Sequence, residues 1–395
     1  SWAKTTPATP RHPNILVILC DDLVFGDLRC FNPDCRIPTP HCDSLAAQGV
    51  RLTDAHAPSS VCTPTRYGLM TRRYAWRSRL QSGVLGGLSP ALIEPERLTV
   101  AAFLKQSGYH TAALGKWHLG MNWHLQPGTT VNPLGIESSN QVHNARLDLP
   151  APNGPTALGF DSFFGISASL DMVPYAWIEN DRLPIQPDHD TSFPMTLGIP
   201  GRRTRVGPAA PSFDAAHVLP SLTARTVDTI RTLAKDARAG HPFFIYVALN
   251  APHTPILPSP EWQGKSGLNP YADFVMQTDA CIGEMIAALD SSGLGRDTLV
   301  ILTSDNGCSP EADFQKLHAG GHRPSGPFRG AKADIFEGGH RIPMLARWPG
   351  RIDPGRVSSH LVSLTDLMAT CARSEEHTSE LQSLAYLVCR LLLEK

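Results

Sequence analysis

Residues 61–66 (VCTPTR) place a cysteine in a setting that suits chemistry. Pro64 is typical of the first turn of a helix, so the pattern predicts that Cys62 lies at a helix N-terminus. Arg66 follows one turn later on the same helix face. The partial positive charge of a helix N-terminus favours an anionic nucleophile or a bound anion. From these residues alone, Cys62 could be half of a disulfide, a metal ligand, a core residue or a nucleophile.

Acidic and amide side chains follow two strand-like apolar segments. Asp21 and Asp22 end the first, and Asp305 and Asn306 end the second. Adjacent carboxylates repel each other unless a positive charge neutralises them. Three carboxylates and an amide offer only oxygen ligands, which indicates a hard cation, Ca²⁺ with Mg²⁺ as the alternative, rather than zinc. Either pair alone is explained by turns and helix caps, but both at neighbouring strand ends favour a metal site.

Basic side chains and histidines occupy comparable positions. They are Lys116, His118, His253 and Lys332. Each alone is explained as a surface charge or a hydrogen-bonded histidine, but together with a metal they would surround a tetrahedral oxyanion such as sulfate or phosphate. A soft thiolate is a poor partner for a hard cation, so an unmodified Cys62 fits these neighbours badly.

The elements that must position these groups are apolar runs alternating with helical patterns. The runs are 15–20, 109–114, 243–249 and 298–305, and the helical patterns include 97–107 and 271–290. This alternation predicts an α/β fold in which helices sandwich a mostly parallel central sheet. Ligands of such sheets bind beyond the carboxyl ends of the strands. The polar groups that follow the runs should therefore converge on one rim.

Composition and charge restrict the class of partner. The chain has 395 residues, of which 42% are hydrophobic and 18% charged, with a formal net charge of -1. Near-zero charge gives no reason to expect nucleic acid as a partner, and no apolar run approaches the roughly 20 residues that span a bilayer. Nine cysteines lack zinc-type spacing. One disulfide among Cys30, Cys35 and Cys42 is an alternative to the favoured interpretation, free buried thiols.

Domain organisation is predicted from composition. Residues 1–12 are polar and proline-rich and predict a flexible leader, consistent with the remnant of a signal peptide. Residues 13–372 form the predicted catalytic α/β domain, with long loops at 124–158 and 180–212. Residues 373–395 contain RSEEHTSELQS, which resembles a translated sequencing adapter, so this tail is predicted to be non-native.

Several motifs resemble those of one enzyme family. SSVCTPTRYGLMT, from Ser59, resembles the first signature of the type I sulfatases, and GYHTAALGKWH, from Gly108, resembles the second. LCDDL, APHTP, TSDNG and EGGHRIPMLARWPG are also similar to family segments, in the family's order, over 12–372. Arg72 stands where the family usually has glycine. The resemblance implies the sulfatase fold of the alkaline phosphatase superfamily, with a smaller C-terminal domain that we expect to be truncated here.

The resemblance also implies a modified nucleophile. A separate formylglycine-generating or anaerobic sulfatase-maturating enzyme would oxidise Cys62 to Cα-formylglycine. One hydroxyl of its hydrated form, activated by Ca²⁺, would attack sulfur and give a covalent sulfo-enzyme, and the other would expel sulfate. The residues that match the family's metal ligands are Asp21, Asp22, Asp305 and Asn306, with Cys62 as formylglycine.

Other roles follow from the resemblance residue by residue. Arg66 and Lys116 match residues that hold the formylglycine and stabilise charge, and His118 matches a base that assists elimination. His253 or Lys332 would protonate the leaving alcohol. The residues that match substrate contacts are Lys116, His253 and Lys332, with Ser169 as a less secure match.

The implied substrate is a sulfate ester, either a sulfated sugar or an aryl sulfate. The resemblance also implies export to the periplasm or the medium. Two alternatives stay open at this point. One is a phosphodiester or phosphonate ester hydrolase of the same superfold, because the same cage suits either anion. The other is an inactive truncated fragment.

Overall fold

The computed structural model describes residues 12–374. The strands in this range are β1 Asn14–Asp21, β2 Val50–Leu52, β3 Ala55–His56, β4 His110–Lys116, β5 Ser162–Ile166, β6 Ile178–Glu179, β7 His189–Thr191, β8 Gly207–Ala209, β9 Phe243–Pro252, β10 Thr298–Ser304, β11 Met344–Arg347, β12 Arg356–Ser358 and β13 Val362–Ser363. The helices are α1 Pro40–Gln48, α2 Cys62–Thr71, α3 Val100–Gln106, α4 Val218–Arg238, α5 Pro270–Ser291, α6 Phe314–Ala319, α7 Glu337–His340 and α8 Leu367–Ser374.

A nine-stranded sheet forms the centre of the molecule. Its order is β12-β2-β11-β10-β1-β9-β4-β5-β6. The five strands from β10 to β5 are parallel, whereas β11 and β6 pair antiparallel with their neighbours. The predicted α/β class with a mostly parallel sheet is confirmed.

Burial on both faces explains why the central strands read as continuous apolar runs. Every residue of β1 is buried. Val17 and Leu19 pack into the core on one face of the sheet, and Leu16 and Ile18 pack into the core on the other. Alternate side chains of a strand point to opposite faces, so one strand contributes to two cores.

Polar caps fix where two predicted helices begin. The side chain of Thr99 accepts a hydrogen bond from the amide of Ala102, so α3 begins three residues later than the pattern 97–107 indicated. At α5, Asn269 caps the amide of Ala272, and Pro270 is the first helical residue.

Helix α2 has the predicted start and an informative end. Cys62 is its first residue. Arg72 follows the last residue and adopts a left-handed conformation with φ 58°. Glycine reaches this region without the steric cost that a Cβ imposes, which explains why glycine suits this position.

The two long loops contain little regular structure. Within 124–158 there is one 3₁₀ turn, Pro155–Leu158, and within 180–212 the strands β7 and β8 form a small antiparallel sheet. Helix α8 extends two residues beyond the predicted domain end at 372. The predicted leader, except residue 12, and the predicted non-native tail after 374 lie outside the described residues.

Eight cysteines fall within the described range, and Cys30, Cys35 and Cys42 among them form no disulfide. The favoured interpretation of free thiols is thus confirmed for Cys30, Cys35 and Cys42. No helix between residues 12 and 374 combines the length and apolarity needed to cross a bilayer.

Candidate active site

The carboxyl ends of four neighbouring strands bring the candidate residues to one rim. Asp21 is the last residue of β1 and Lys116 the last of β4. Asp305 directly follows β10, and His253 directly follows β9. The β1–β9 pairing shifts register between Leu19 and Asp21, an irregularity of the kind that re-aims side chains beside functional sites.

Asp21 lies among positive charges at the centre of this rim. Its Oδ2 accepts a hydrogen bond from Lys116 Nζ at 2.6 Å, and its Oδ1 lies 3.6 Å from Arg66 Nη2. Cys62 Sγ lies 3.7 Å from the same Oδ1. Burial opposes ionisation of Asp21, but His253, Lys116 and Arg66 outweigh it and hold its pKa well below the usual range.

Asp22, which directly follows β1, accepts hydrogen bonds from two residues in the C-terminal part of the chain. It has φ 68°, and its Oδ1 accepts hydrogen bonds at 2.6 Å from both Asn306 Nδ2 and Lys332 Nζ. Its Oδ2 lies 3.9 Å from His253 Nε2.

The donor set fits a hard divalent cation. Asp22 Oδ2 and Asn306 Oδ1 are both buried and have no hydrogen-bond partner within the described part of the chain. Ligand atoms of Asp21, Asp22, Cys62 and His253 all lie within 4.8 Å of one another. Buried oxygens without donors are costly unless something else satisfies them, and a cation is the partner that carboxylate and amide oxygens would take.

Arg66 fastens α2 to the rim. The side chain is fully buried, and its Nε and Nη2 donate to Asp305 Oδ2 at 3.1 and 2.7 Å. Its Nη1 donates to the carbonyl oxygen of Lys116 at 3.0 Å. Burial lowers the pKa of this guanidinium, but the nearby carboxylates of Asp305 and Asp21 raise it by more. The pKa is therefore above its usual value, and Arg66 stays charged.

His118 offers one nitrogen to the site. Its Nε2 donates to the carbonyl oxygen of Leu85 at 2.8 Å, because a carbonyl can only accept. Its buried Nδ1 has no partner among residues 12–374 and therefore carries the free lone pair. Burial, assisted by Lys116 and Arg66, lowers the pKa of His118 well below its usual value, which keeps the ring neutral.

His253 and Lys332 form the less enclosed side of the centre. Their side chains are 10% and 15% exposed, whereas those of Arg66 and Lys116 are 0% exposed. His253 Nδ1 donates to the carbonyl oxygen of Thr254, so Nε2 faces Asp22. Burial lowers the pKa of His253, but Asp21 and Asp22 outweigh it and raise the pKa to about 9. Burial likewise opposes the charge of Lys332, and Asp22 raises its pKa above the usual range.

Ser169 is a predicted site residue whose side chain forms no hydrogen bond with the rim residues. It is buried, and its Oγ has no hydrogen-bond partner in the described range, including the residues of the rim.

Sequence reasoning missed two polar groups on β9. The hydroxyl of Tyr246 interacts with Arg66, and both amide atoms of Asn250 are buried without a partner in the part of the chain described. They share a sheet face because strand side chains alternate. The only feature that marks them in the sequence is a polar side chain inside an apolar run, or directly after it.

Fold and site together define an α/β protein that gathers hard oxygen ligands, fixed cations and a helix-start cysteine at one sheet rim. The family model described as Sulfatase matches residues 13–373, and the chain belongs to this family.

Individual relatives agree with this family. An N-acetylgalactosamine-6-O-sulfatase of Bacteroides thetaiotaomicron is 34% identical over 93% of this chain and 74% of its own length. Human arylsulfatase A is 37% identical over 92% of this chain, which spans only 64% of that relative. A solved structure from work on the metabolism of multiple glycosaminoglycans by Bacteroides thetaiotaomicron superposes with a TM-score of 0.80 and 29% identity, covering 97% of this chain and 82% of that one.

Proposed function

We propose that the protein hydrolyses sulfate esters carried by sugars. The observation that carries this proposal is the juxtaposition of Cys62 with a hard-ligand set at the rim, since Cys62 Sγ lies 3.7 Å from Asp21 Oδ1. A thiolate suits such ligands poorly, and family membership supplies an oxygen nucleophile in its place.

The nucleophile is Cα-formylglycine made from Cys62 by a maturating enzyme. Hydrated formylglycine with a bound Ca²⁺, or Mg²⁺, would supply an activated oxygen nucleophile for attack on sulfur and a second hydroxyl for the release of sulfate. The oxygens of Asp21, Asp22, Asp305 and Asn306 would hold the cation.

Arg66 and Lys116 act as fixed positive charges. Both are fully buried and hydrogen-bonded, so they do not reorganise when negative charge develops on a sulfuryl group. Lys116 also contacts sulfate, together with Lys332 and His253.

Proton movements fall to the two histidines and Lys332. His118 accepts a proton at Nδ1, the nitrogen whose lone pair has no partner within residues 12–374. His253 or Lys332 protonates the leaving alcohol, because these two side chains line the more open side of the centre, where the substrate must enter. Ser169 contributes a hydroxyl near the substrate.

The sugar substrate is suggested by relatives. The Bacteroides relative is named an N-acetylgalactosamine-6-O-sulfatase, and the superposed structure comes from work on glycosaminoglycans. The loops 124–158 and 180–212 would select the sugar. Export to the periplasm or the medium fits a polysaccharide-derived substrate.

The first test is the chemical state of Cys62. Mass spectrometry of the peptide from mature protein should show Cys62 lighter by about 18 Da, because an aldehyde oxygen replaces SH₂. Cys62→Ala should lower sulfatase activity by at least about 1,000-fold, whereas Cys30→Ala, at a partly exposed thiol, should retain it. Active protein with unmodified Cys62 would refute the proposed nucleophile.

A second measurement separates sulfate from phosphate chemistry. We expect hydrolysis of 6-sulfated N-acetylgalactosamine or an aryl sulfate to exceed that of the matching phosphate diester and phosphonate ester. The reverse preference would move the protein to the alternative hydrolase class.

A further inference from the structure

Two histidines face each other in a cluster that the proposed reaction does not use. His56 ends β3 and His340 ends α7. Their Nδ1 atoms lie 3.0 Å apart, with ring centroids separated by 5.2 Å. The two segments are also joined by backbone, because the amide of Ala57 donates to the carbonyl oxygen of His340.

The partners of the outer nitrogens fix both rings in the same tautomer. His56 Nε2 lies 2.8 Å from Asp54 Oδ1, and His340 Nε2 lies 3.1 Å from the carbonyl oxygen of Ile335. Carboxylate and carbonyl oxygens only accept, so each Nε2 carries the hydrogen. Both neutral rings then direct an Nδ1 lone pair at the other ring. Such a pair repels unless a proton or a cation lies between the two nitrogens.

A carboxylate completes the set of potential ligands. One oxygen of Glu337, together with ligand nitrogens of His56 and His340, falls within a group whose atoms are all within 4.8 Å of one another. Zinc–ligand bonds of about 2.0–2.2 Å place neighbouring ligand atoms about 3.4 Å apart in a tetrahedral site. Small side-chain rotations would therefore reach coordination geometry.

We propose that His56, His340 and Glu337 bind a borderline divalent cation such as Zn²⁺, at a site separate from the hard-cation centre. Two imidazoles and a carboxylate with a remaining open position suit this class of metal. Binding displaces any proton shared between the two Nδ1 atoms into solvent.

Neighbouring groups support both rings. Asp54 on His56 Nε2 forms the carboxylate–histidine arrangement that orients and strengthens a metal ligand. Arg341 Nη1 lies 2.7 Å from both Asp54 Oδ1 and Glu337 Oε2. These ion pairs fix the positions of the two carboxylates and offset their negative charge. The side chain of His56 is 18% exposed and that of Glu337 is 43% exposed, which leaves a path for the ion.

The proposed metal site connects two segments that lie next to rim residues in the sequence. Strand β3 leads into the loop before Cys62, and α7 follows the loop that contains Lys332. A bound metal would link these loops at their bases.

The test is a Co²⁺ titration of the full chain, first saturated with Ca²⁺ to fill the hard-cation centre. We expect one equivalent of Co²⁺ with ligand-field bands typical of nitrogen and oxygen ligands. The affinity should fall at least tenfold in His56→Gln and in His340→Gln, and less in Glu337→Gln. His189→Gln, at an exposed histidine beside Asp188, is the matched control and should bind as wild type. Zn²⁺ should displace the Co²⁺.

Other outcomes would overturn the proposal. If the Co²⁺ bands are unchanged in both histidine variants, or if cobalt–thiolate charge-transfer bands appear, the metal binds at another site. If no Co²⁺ binds, the proposed site does not exist. Thermal unfolding without metal checks that each variant folds. Because His340 is partly exposed at a helix end, its variant remains informative if His56→Gln fails to fold.

Discussion

Two buried polar networks involve the segment 21–27, and they differ in how completely their polar atoms are paired. The rim network, formed by Asp21, Asp22, Asp305 and Asn306 with the basic groups around them, contains buried oxygens without donors in the described chain. The Asp27 network, formed by Asp27, Tyr271 and His322, has every carboxylate oxygen in use.

The pairing of the Asp27 network is complete. Asp27 Oδ1 accepts from His322 Nε2 at 2.9 Å, and Oδ2 accepts from the Tyr271 hydroxyl at 2.5 Å and from the amide of Val24 at 3.3 Å. His322 Nδ1 in turn accepts from the amide of Arg36 at 3.4 Å. A network satisfied by its own protein has no position for a ligand, and its natural role is to hold a loop.

The two networks are in contact. The Tyr271 hydroxyl lies 3.3 Å from the carbonyl oxygen of Asp22. The contrast therefore teaches that burial and charge alone do not mark a functional site. What distinguishes the rim is that its unpaired oxygens lie together among fixed charges, where a bound cation would satisfy them.

The largest effect should come from Asp22→Asn. Asp22 Oδ1 takes both protein hydrogen bonds, so an asparagine oxygen can keep them while the amide nitrogen replaces the unpaired Oδ2. The free energy of unfolding without metal should fall, because Lys332 and His253 lose a facing negative charge, so activity is compared per folded molecule. Sulfatase kcat/KM should fall at least about 100-fold, because the proposed cation site loses a ligand.

Calcium binding sharpens this prediction. A cation at 100 times its Kd stabilises the wild type by about 2.7 kcal/mol. Thermal unfolding with Ca²⁺ and with a chelator should show this stabilisation in the wild type and a smaller one in Asp22→Asn. Equal stabilisation of both proteins by Ca²⁺ would remove Asp22 from the metal site.

Asp27→Asn should have the opposite signature. Both oxygens of Asp27 accept hydrogen bonds. An asparagine NH₂ in place of Oδ1 would face the N–H donor of His322, and in place of Oδ2 it would face the donors of Tyr271 and Val24, so two donors would oppose each other in either orientation. Leaving buried donors unpaired costs about 3 kcal/mol, measured as the free energy of unfolding in urea. Activity per folded molecule should remain within a few-fold of wild type. A large loss of activity at unchanged stability would erase the distinction between the networks.

The sequence predicts the rim network far better than the Asp27 network. Asp21 and Asp305 directly follow apolar runs, and parallel strands bring such positions together by rule. Asp27 ends a short 3₁₀ turn and His322 lies in a loop 295 positions away, while Tyr271 is the second residue of an ordinary helix. No local pattern indicates that these three meet, because their contact depends on how the loops pack after the sheet forms.

Pairing of individual atoms is also beyond the sequence. The spacing of Cys62 and Arg66 predicts one helix face, but which oxygen of Asp305 Arg66 contacts is decided by tertiary packing. The same holds for Tyr246 and Asn250, whose polar atoms look incidental within an apolar strand. Sequence thus predicts which groups approach one another, and packing decides which atoms stay unpaired.

Tyr271→Phe tests the Asp27 network more gently. The change removes one hydroxyl, but Asp27 Oδ2 keeps the amide of Val24 as a donor. We expect a loss of about 1 kcal/mol in urea unfolding, smaller than that of Asp27→Asn, with activity close to wild type. A loss as large as that of Asp27→Asn would mean that the hydroxyl, rather than the carboxylate, organises the network.

The smallest effect should come from the scaffold that carries Cys62, outside both networks. Arg72 has φ 58°, where a side chain is strained and glycine is not. Arg72→Ala and Arg72→Gly both delete the charged side chain, so their difference isolates the backbone. Arg72→Gly should be more stable than Arg72→Ala by about 0.5–1 kcal/mol in urea unfolding, with equal sulfatase activity per folded molecule. If the glycine variant is not the more stable of the two, the left-handed end of α2 costs nothing, and the glycine usual in the family at this position needs a reason other than backbone strain.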